Sequence, residues 1–372
     1  MTGILFSPYN IGSIELPNRF VRSATAERMA NVDGRPLKQL EKLYEELVLG
    51  GVGLIITGHM YIHPTGKAHP EMTGIYSDDL IPDLTRLAET VHKLGGLVAV
   101  QINHGGMKSS EDAVSKAIAP SAVKKGSFSR EAREMTQAEI LDMVQAYADA
   151  ARRVKMAGFD AVQLHGAHGY LISQFLSPSV NKRTDQWGGN LENRIRFLRE
   201  VAQAVRYEVG PDFPVFIKLG MVDGIEGGLS VDDGTKIVAS LEAMGIDAVE
   251  ISGGIGGKKV VISKKGIRRP SEEAYFLDLA EKARPVTNLP IILVGGLRSK
   301  PVMEGILKSG AADFISLCRP LITEPDLPNL MKQGLKEKSR CLSANNCWPK
   351  ANGLGIACKC PHDEVQTRSN IS

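Results

Sequence analysis

Residues 136–170 read TQAEILDMVQAYADAARRVKMAGFDAVQLHGAHGY and contain the pattern of one helix followed by one strand. Thr136 and Glu139 match a capping box, and apolar residues then recur at helical spacing. The run at 161–165 is short and mostly apolar, which is typical of a buried parallel strand. The stretch therefore predicts a helix–strand unit of an α/β fold.

Apolar runs of strand length recur along the chain, and segments with helical periodicity follow them. Strands that are apolar throughout indicate a parallel sheet covered by helices. Eight units favour closure into a (β/α)8 TIM barrel over an open doubly wound sheet, and no Gly-x-Gly-x-x-Gly follows the first run. The runs are residues 19–23, 52–57, 97–102, 161–165, 215–219, 248–252, 291–295 and 314–317.

Several segments lie outside the repeating units. We expect an N-terminal hairpin around residues 4–17, a polar insertion at 109–133 and a Gly- and Lys-rich loop at 253–269. Four of the five cysteines follow residue 340. We therefore divide the chain into a barrel domain, residues 1–335, and a cysteine-rich C-terminal tail, residues 336–372.

Composition excludes several classes of protein. With 43% hydrophobic and 23% charged residues the 372-residue chain resembles a globular enzyme. The net charge is +3 and no dense basic block is present, so we expect no nucleic-acid partner. The N-terminus lacks the pattern of a secretory leader, and no long apolar run suggests a membrane span. We expect a cytoplasmic protein with no membrane association; a homo-oligomer is left open.

A TIM barrel carries its active site where its strands end. The side chains at or just after the ends of the runs are therefore candidates for the site. They are Ser23, Ala24, Thr25, Ala26, Gly58, His59, Gln101, His104, His165, His168, Tyr170, Lys218, Ser252, Gly253, Gly254, Gly295, Gly296, Cys318 and Arg319.

These candidates indicate a phosphorylated cofactor. Gly295, Gly296 and Arg319 follow the last two runs, the corner where many barrels bind phosphate through backbone N–H groups and a cation. Lys218 and Gln101 could contact the pyrimidine side of a flavin ring, so FMN lying across the mouth would suit the whole set. The alternative is that the glycines only form a turn and that Arg319 only forms a surface ion pair.

Two segments carry a resemblance to a known family. Residues 165–178, HGAHGYLISQFLSP, and residues 181–194, NKRTDQWGGNLENR, resemble the old yellow enzyme family of FMN-dependent oxidoreductases. Further matches are NRFV at 18–21, GVGLIIT at 51–57, QINHGG at 101–106, and AADFI at 311–315 with Arg319. Together they cover most of residues 4–335.

The resemblance implies an activity and roles for three residues. In this family NADH or NADPH reduces FMN, which then reduces an enone or a quinone-like acceptor in the same pocket. His165 and His168 match the pair that binds the substrate's carbonyl oxygen, and Tyr170 matches the proton donor. A phenol stays protonated at neutral pH and can serve as an acid. The alternative for a single histidine at a strand end is a buried core residue.

The chain also departs from the family pattern. Lys218 stands where arginine is frequent, and it keeps the charge but not the bidentate fork. Ala26 replaces a cysteine or threonine that contacts the flavin. Arg28 lies near a position where some relatives carry a substrate-contacting tyrosine, so we consider it as a substrate-binding residue and, alternatively, as a surface arginine.

The tail resembles that of the dienoyl-CoA reductase and trimethylamine dehydrogenase branch, which binds a [4Fe–4S] cluster. Ala344 here replaces one of the cysteine ligands. The tail could hold a cluster or zinc, or be vestigial. Its candidate ligands are Cys341, Cys347, Cys358 and Cys360.

Two other functions compete with an ene-reductase. The first is a flavin electron-transfer subunit that passes electrons through a metal in the tail to a partner protein. The second is a dihydrouridine synthase acting on RNA, which the lack of a basic, aromatic-rich appended region disfavours.

Overall fold

The computed structural model describes residues 3–124, 130–348 and 355–360. Strands and helices alternate along the chain from residue 20 onward. The strands are β1 (Tyr9–Ile11), β2 (Ile14–Leu16), β3 (Phe20–Arg22), β4 (Leu54–Ile56), β5 (Met60–Tyr61), β6 (Val98–Asn103), β7 (Ala117–Ala119), β8 (Ala132–Glu134), β9 (Ala161–Gly166), β10 (Val215–Gly220), β11 (Ala248–Ser252), β12 (Ile291–Leu293) and β13 (Phe314–Leu317).

The helices follow the barrel strands, as expected for a β/α repeat. They are α1 (Lys38–Leu49), α2 (Ile81–His92), α3 (Gln137–Met156), α4 (Leu171–Leu176), α5 (Leu191–Val209), α6 (Val231–Ser240), α7 (Leu277–Ala283), α8 (Lys300–Ser309), α9 (Arg319–Thr323) and α10 (Leu327–Lys332).

Parallel strands close into a barrel in the order β3, β4, β6, β9, β10, β11, β12, β13 and back to β3. Each predicted apolar run overlaps one of these eight strands, so the predicted TIM barrel is confirmed. Among the described residues, no helix is both long enough and apolar enough to span a membrane.

Helix α3 begins as the sequence predicts. Thr136 accepts a hydrogen bond from the Glu139 backbone N–H, and the Glu139 carboxylate accepts one from the Thr136 backbone N–H. The reciprocal pair satisfies two of the four N–H groups that a helix start leaves unbonded. The side chain of Ser230 caps α6 in a similar way, by accepting from Asp233 N–H.

The barrel interior has two chemically different layers. Residues two apart on a strand face the same side, so Phe216 and Lys218 of β10 both point inward, as do Ala248 and Glu250 of β11. The lower, apolar layer is sealed by the N-terminal hairpin β1–β2. The buried residues packed there are Ile11, Leu16, Val21, Leu54, Ile56, Ala99, Ala161, Phe216, Ala248, Ile292 and Phe314.

The tail packs against the barrel mouth. Ser339 donates its N–H to the Arg298 carbonyl at 2.9 Å, and Gly266 donates to the Ser343 carbonyl at 3.0 Å. Further on, Gly355 donates to the Arg28 carbonyl at 2.9 Å. The described part of the tail is therefore bonded to the loops around the mouth.

The packing of the β1–β2 hairpin against the barrel leads to a stability prediction. Leu16 is fully buried under the barrel, so Leu16→Ala should lower the free energy of unfolding in urea by about 2–5 kcal/mol through lost burial and a cavity. Leu335→Ala is the matched control, because Leu335 is 68% exposed. It should change that free energy by less than about 0.5 kcal/mol. Equal losses for both variants would contradict the packing described here.

Candidate active site

A cavity opens where the barrel strands end. It contains about 970 Å³ of space between atoms, including the part open to solvent, which is enough for a cofactor-sized ligand. Side chains that line it include Ser23, Ala24, Thr25, Ala26, His59, Gln101, His165, His168, Tyr170, Lys218, Ser252, Ile262, Ser263, Tyr275, Gly296, Leu297, Ser316, Cys318, Arg319 and Trp348.

One wall of the cavity carries a buried cation. Lys218 of β10 is 2% exposed, and its Nζ donates to Ser23 Oγ at 2.8 Å. The same Nζ lies 3.2 Å from Oε1 of Glu250, which is fully buried. An ammonium group has three N–H donors, so one remains for the cavity.

The adjacent part of this wall is a chain of amides. Gln101 of β6 donates its Nε2 hydrogen to Gln163 Oε1 at 2.7 Å, and Gln163 donates to Glu250 Oε2 at 3.0 Å. All three side chains are buried to 1% exposure or less. The wall thus presents an amide and an ammonium group side by side.

The opposite end of the cavity can bind an anion. Gly296 and Leu297 follow β12, and neither donates its backbone N–H to an acceptor within the described residues. Gly296 has φ +73°, and a Cβ there would lie 2.2 Å from Ile267 Cδ1. Glycine is therefore favoured at this turn, and the two N–H groups are left for a ligand in the cavity that Gly296, Leu297 and Arg319 line.

Arg319 joins three parts of the chain at this end. Its Nη1 donates to the Lys264 carbonyl at 2.8 Å and to Asn345 Oδ1 at 2.7 Å. Its guanidinium therefore lies within the fold, and the surface ion pair considered above is wrong. Asn345 belongs to the tail, so the tail helps to position this arginine.

His165 and His168 follow the end of β9. Nδ1 of His165 accepts a hydrogen bond from the Ala167 backbone N–H at 3.3 Å, which leaves the ring proton on Nε2. His168 has a left-handed backbone with φ 60°, and its Nε2 lies 2.8 Å from Ser252 Oγ. The two rings meet edge to face at 5.1 Å.

Both imidazoles are neutral at physiological pH. Burial lowers the pKa of His165 and of His168 well below the usual 6.5, and the nearby charge of Lys218 acts in the same direction. Lys108 adds to this effect, and its Nζ donates to the His168 carbonyl at 2.6 Å. A neutral imidazole can donate one hydrogen bond to a ligand without carrying charge into the cavity.

Tyr170 and His59 complete this cluster. The Tyr170 ring lies 4.8 Å from the His165 ring and 5.0 Å from the His59 ring. Burial raises the pKa of Tyr170 to about 12, an effect that Arg28 partly offsets. Tyr170 is therefore a protonated phenol at all physiological pH values.

Most of the predicted site residues meet in the cavity. The candidates at the strand ends line it, with the exception of Gly58, His104, Gly253, Gly254 and Gly295. Gly295 lies directly before Gly296 and has φ 138°. Arg28 does not line it either. Arg28 has φ 52°, and its Nη1 lies 3.9 Å from Glu71 Oε2. The expectation of direct substrate contact from Arg28 thus has no support in the cavity wall.

The cysteines of the tail do not form a metal site in the described residues, which include all five cysteines. Among those residues, no three Cys, His, Asp or Glu side chains are placed to hold one metal ion. Burial raises the pKa of Cys347 to about 12, so it is a neutral thiol. The expected ligand set of Cys341, Cys347, Cys358 and Cys360 is therefore not brought together.

Sequence reasoning missed Glu250 and Lys108. Glu250 lies in the middle of an apolar run, and a charge at such a place was the available signal. Lys108 stands just before the polar insertion, and nothing local to it indicates that it reaches His168 from 60 positions away.

The buried histidines lead to a prediction for acid stability. Burial lowers the pKa of His59 to about 4, of His104 to about 3 and of His69 to about 2, and that of His165 also falls. Below pH 6.5 the unfolded chain binds protons at these sites that the folded chain excludes. The free energy of unfolding should therefore fall by about 2 kcal/mol per histidine between pH 7 and pH 5.

Urea titrations across this pH range test that prediction. From pH 7 to pH 8 the four histidines are mostly neutral in both states, so each should add only about 0.1 kcal/mol to the free energy of unfolding over that range. A free energy of unfolding that is unchanged down to pH 5 would contradict the buried, neutral state of these rings.

Comparison with known proteins identifies the family of the chain. The sequence profile of the NADH:flavin oxidoreductase / NADH oxidase family matches residues 4–338. The chain is 36% identical over 329 residues to an NADPH dehydrogenase of Geobacillus sp. (strain WCH70), covering 88% of this chain and 93% of that protein. It is 35% identical over 347 residues to an NADH oxidase of Thermoanaerobacter brockii, covering 92% of this chain and 52% of that protein. The chain thus spans about half the length of that oxidase.

Solved structures of similar fold indicate the same family. The old yellow enzyme homologue from Zymomonas mobilis superposes with a TM-score of 0.78 at 27% identity, covering 90% of this chain and 94% of that one. A 2-naphthoyl-CoA reductase superposes with a TM-score of 0.85 at 30% identity, covering 90% of this chain and 53% of that one. The resemblance to the old yellow enzyme family is confirmed. The chain belongs to the NADH:flavin oxidoreductase / NADH oxidase family, in which FMN is the cofactor and NAD(P)H the electron donor.

Proposed function

We propose that this protein is an FMN-dependent NAD(P)H oxidoreductase that reduces the C=C bond of α,β-unsaturated carbonyl compounds. The observation that carries the proposal is the placement of two neutral imidazoles and a protonated phenol in one cavity with an anion-binding corner and a cationic wall. An enone needs a hydrogen-bond donor for its carbonyl oxygen and an acid for its α-carbon, and the cavity offers both.

The cavity residues fit FMN at both ends. The free N–H groups of Gly296 and Leu297 beside Arg319 would hold the phosphate. Gln101 and Lys218 would contact the pyrimidine side of the ring. Ser23, Ala24, Thr25, Ala26 and Cys318 line the cavity between these ends. When bound, FMN would supply the hydride for the β-carbon of the substrate after accepting one from NAD(P)H.

His165 is the best-defined donor for the substrate oxygen. Because its Nδ1 accepts from the Ala167 N–H, its Nε2–H is free to donate. His168 would supply the second contact to the oxygen. Its ring is held by Ser252, and its left-handed backbone by the Lys108 bond to its carbonyl. Donors fixed before the substrate arrives need no reorganisation in the transition state.

Tyr170 would donate the proton to the α-carbon. Its pKa of about 12 keeps the proton on the phenol until a carbanion-like centre develops beside it. Because the pKa values of His165 and His168 are lowered, their rings are neutral and carry no second proton that could be transferred in place of the phenol proton. Proton transfer is thereby assigned to one side chain.

Removing the Tyr170 hydroxyl separates the two half-reactions. Tyr170→Phe should leave anaerobic bleaching of the flavin by NADPH within about threefold of the wild-type rate, and slow reoxidation by cyclohexenone by about 100-fold or more. Stopped-flow absorbance of the flavin measures both rates.

Tyr147→Phe is the matched control for this variant. Tyr147 is fully buried and loses the same hydroxyl, but it lies in α3 and does not line the cavity. Both of its half-reactions should stay near the wild-type rates. Equal slowing of both half-reactions by Tyr170→Phe would refute the role of Tyr170 as the acid.

The other candidate, an electron-transfer subunit with a metal in the tail, has no supporting observation within the described residues. Cys341 and Cys347 are buried there without a third ligand in place. The contacts of Ser343 and Asn345 instead connect the tail to the corner that would hold the FMN phosphate.

A further inference from the structure

Glu250 is a buried carboxylate behind the active-site wall. It lies on β11, is fully buried and does not line the cavity, although most of the side chains bonded to it do. Its Oε1 accepts from Ser23 Oγ and from Ser316 Oγ, each at 2.8 Å. Its Oε2 accepts from Gln163 Nε2 at 3.0 Å. Both oxygens of this carboxylate thus act as acceptors, and the donors around them compensate its burial.

The partner of this charge is Lys218. Nζ of Lys218 lies 3.2 Å from Oε1 of Glu250 and donates to Ser23 Oγ at 2.8 Å. These two contacts occupy one side of the ammonium group, so its remaining N–H faces the cavity that Lys218 lines. Removing either charge would leave the other buried without compensation.

Glu250 also determines which way two amides face. An ionised carboxylate only accepts hydrogen bonds, so Gln163 must turn its Nε2 toward Glu250. Its Oε1 then faces Gln101, which must donate from Nε2, as it does at 2.7 Å. The orientation of Gln101 at the cavity wall therefore follows from a carboxylate two residues away in the chain of bonds.

We propose that Glu250 is a positioning residue that sets the electrostatic potential at the flavin-binding wall. By offsetting and orienting Lys218, it makes the wall less positive and thereby lowers the reduction potential of the bound FMN. Two-electron reduction places negative charge on the pyrimidine side of a flavin, so the net charge nearby shifts the equilibrium between its oxidised and reduced forms. The inference rests on flavin binding and is independent of the alkene chemistry.

Glu250→Gln in the full-length, FMN-loaded protein tests this role. The amide keeps the size of the side chain and removes the charge. At equilibrium with a reference dye, the ratio of reduced to oxidised flavin should rise about tenfold, which is about 30 mV for a two-electron couple. Sulfite, which adds to oxidised flavin and places negative charge on the same ring, should bind about tenfold more tightly.

Glu324→Gln is the matched control, because it neutralises another buried carboxylate, one that accepts from Ser339 Oγ at 2.7 Å and does not line the cavity. It should change the flavin ratio and the sulfite affinity by less than about threefold. A Glu250→Gln protein that retains FMN but has the wild-type potential and sulfite affinity would overturn the proposal.

Glu250→Asp decides the question if Glu250→Gln does not fold. It keeps the charge but withdraws it from Lys218, so it should shift the potential upward by a smaller amount. An unchanged or lowered potential would count against the proposal. A wild-type protein that does not bind FMN is a separate result, which its visible spectrum would show. That result would refute the flavin assignment and not the role of Glu250.

Discussion

Closure of the parallel barrel is the constraint on which the rest of the structure depends. Once β13 pairs with β3, alternate residues of every strand must point into a space that water does not fill. In the lower layer, apolar side chains fill this space and pack against the N-terminal hairpin. The upper layer holds Lys218 and Glu250, which are tolerated there because they compensate each other and because serine and glutamine side chains satisfy the remaining lone pairs.

The same closure brings the chemical groups together. Strand ends that are far apart in the sequence converge on one mouth, so His165 of β9 lies beside His59, which follows β4. Burial keeps the imidazoles neutral and the phenol protonated, so each of these side chains can donate a hydrogen bond to a ligand. The cavity wall also carries the charges of Lys218 and Arg319, where a flavin ring and its phosphate would meet them.

Much of this arrangement could be predicted from the sequence because its signals are local. The apolar runs, the capping box at Thr136 and the motif around His165 are each readable within a few residues. The Glu250 network was not readable, because its partners lie up to 227 positions away along the chain. Arg28 has a left-handed backbone, which the residues next to it in the sequence do not predict. The spacing of the cysteines indicated metal ligands, but the described residues of the tail do not bring them together.

The most direct test of this account is the anaerobic addition of cyclohexenone to wild-type protein whose flavin has been reduced by one equivalent of NADPH. An enone reductase should recover its yellow absorbance without oxygen and form one molecule of saturated ketone per flavin. A flavin that stays bleached under the enone, and recovers its colour only when air is admitted, would contradict the enone reductase assignment.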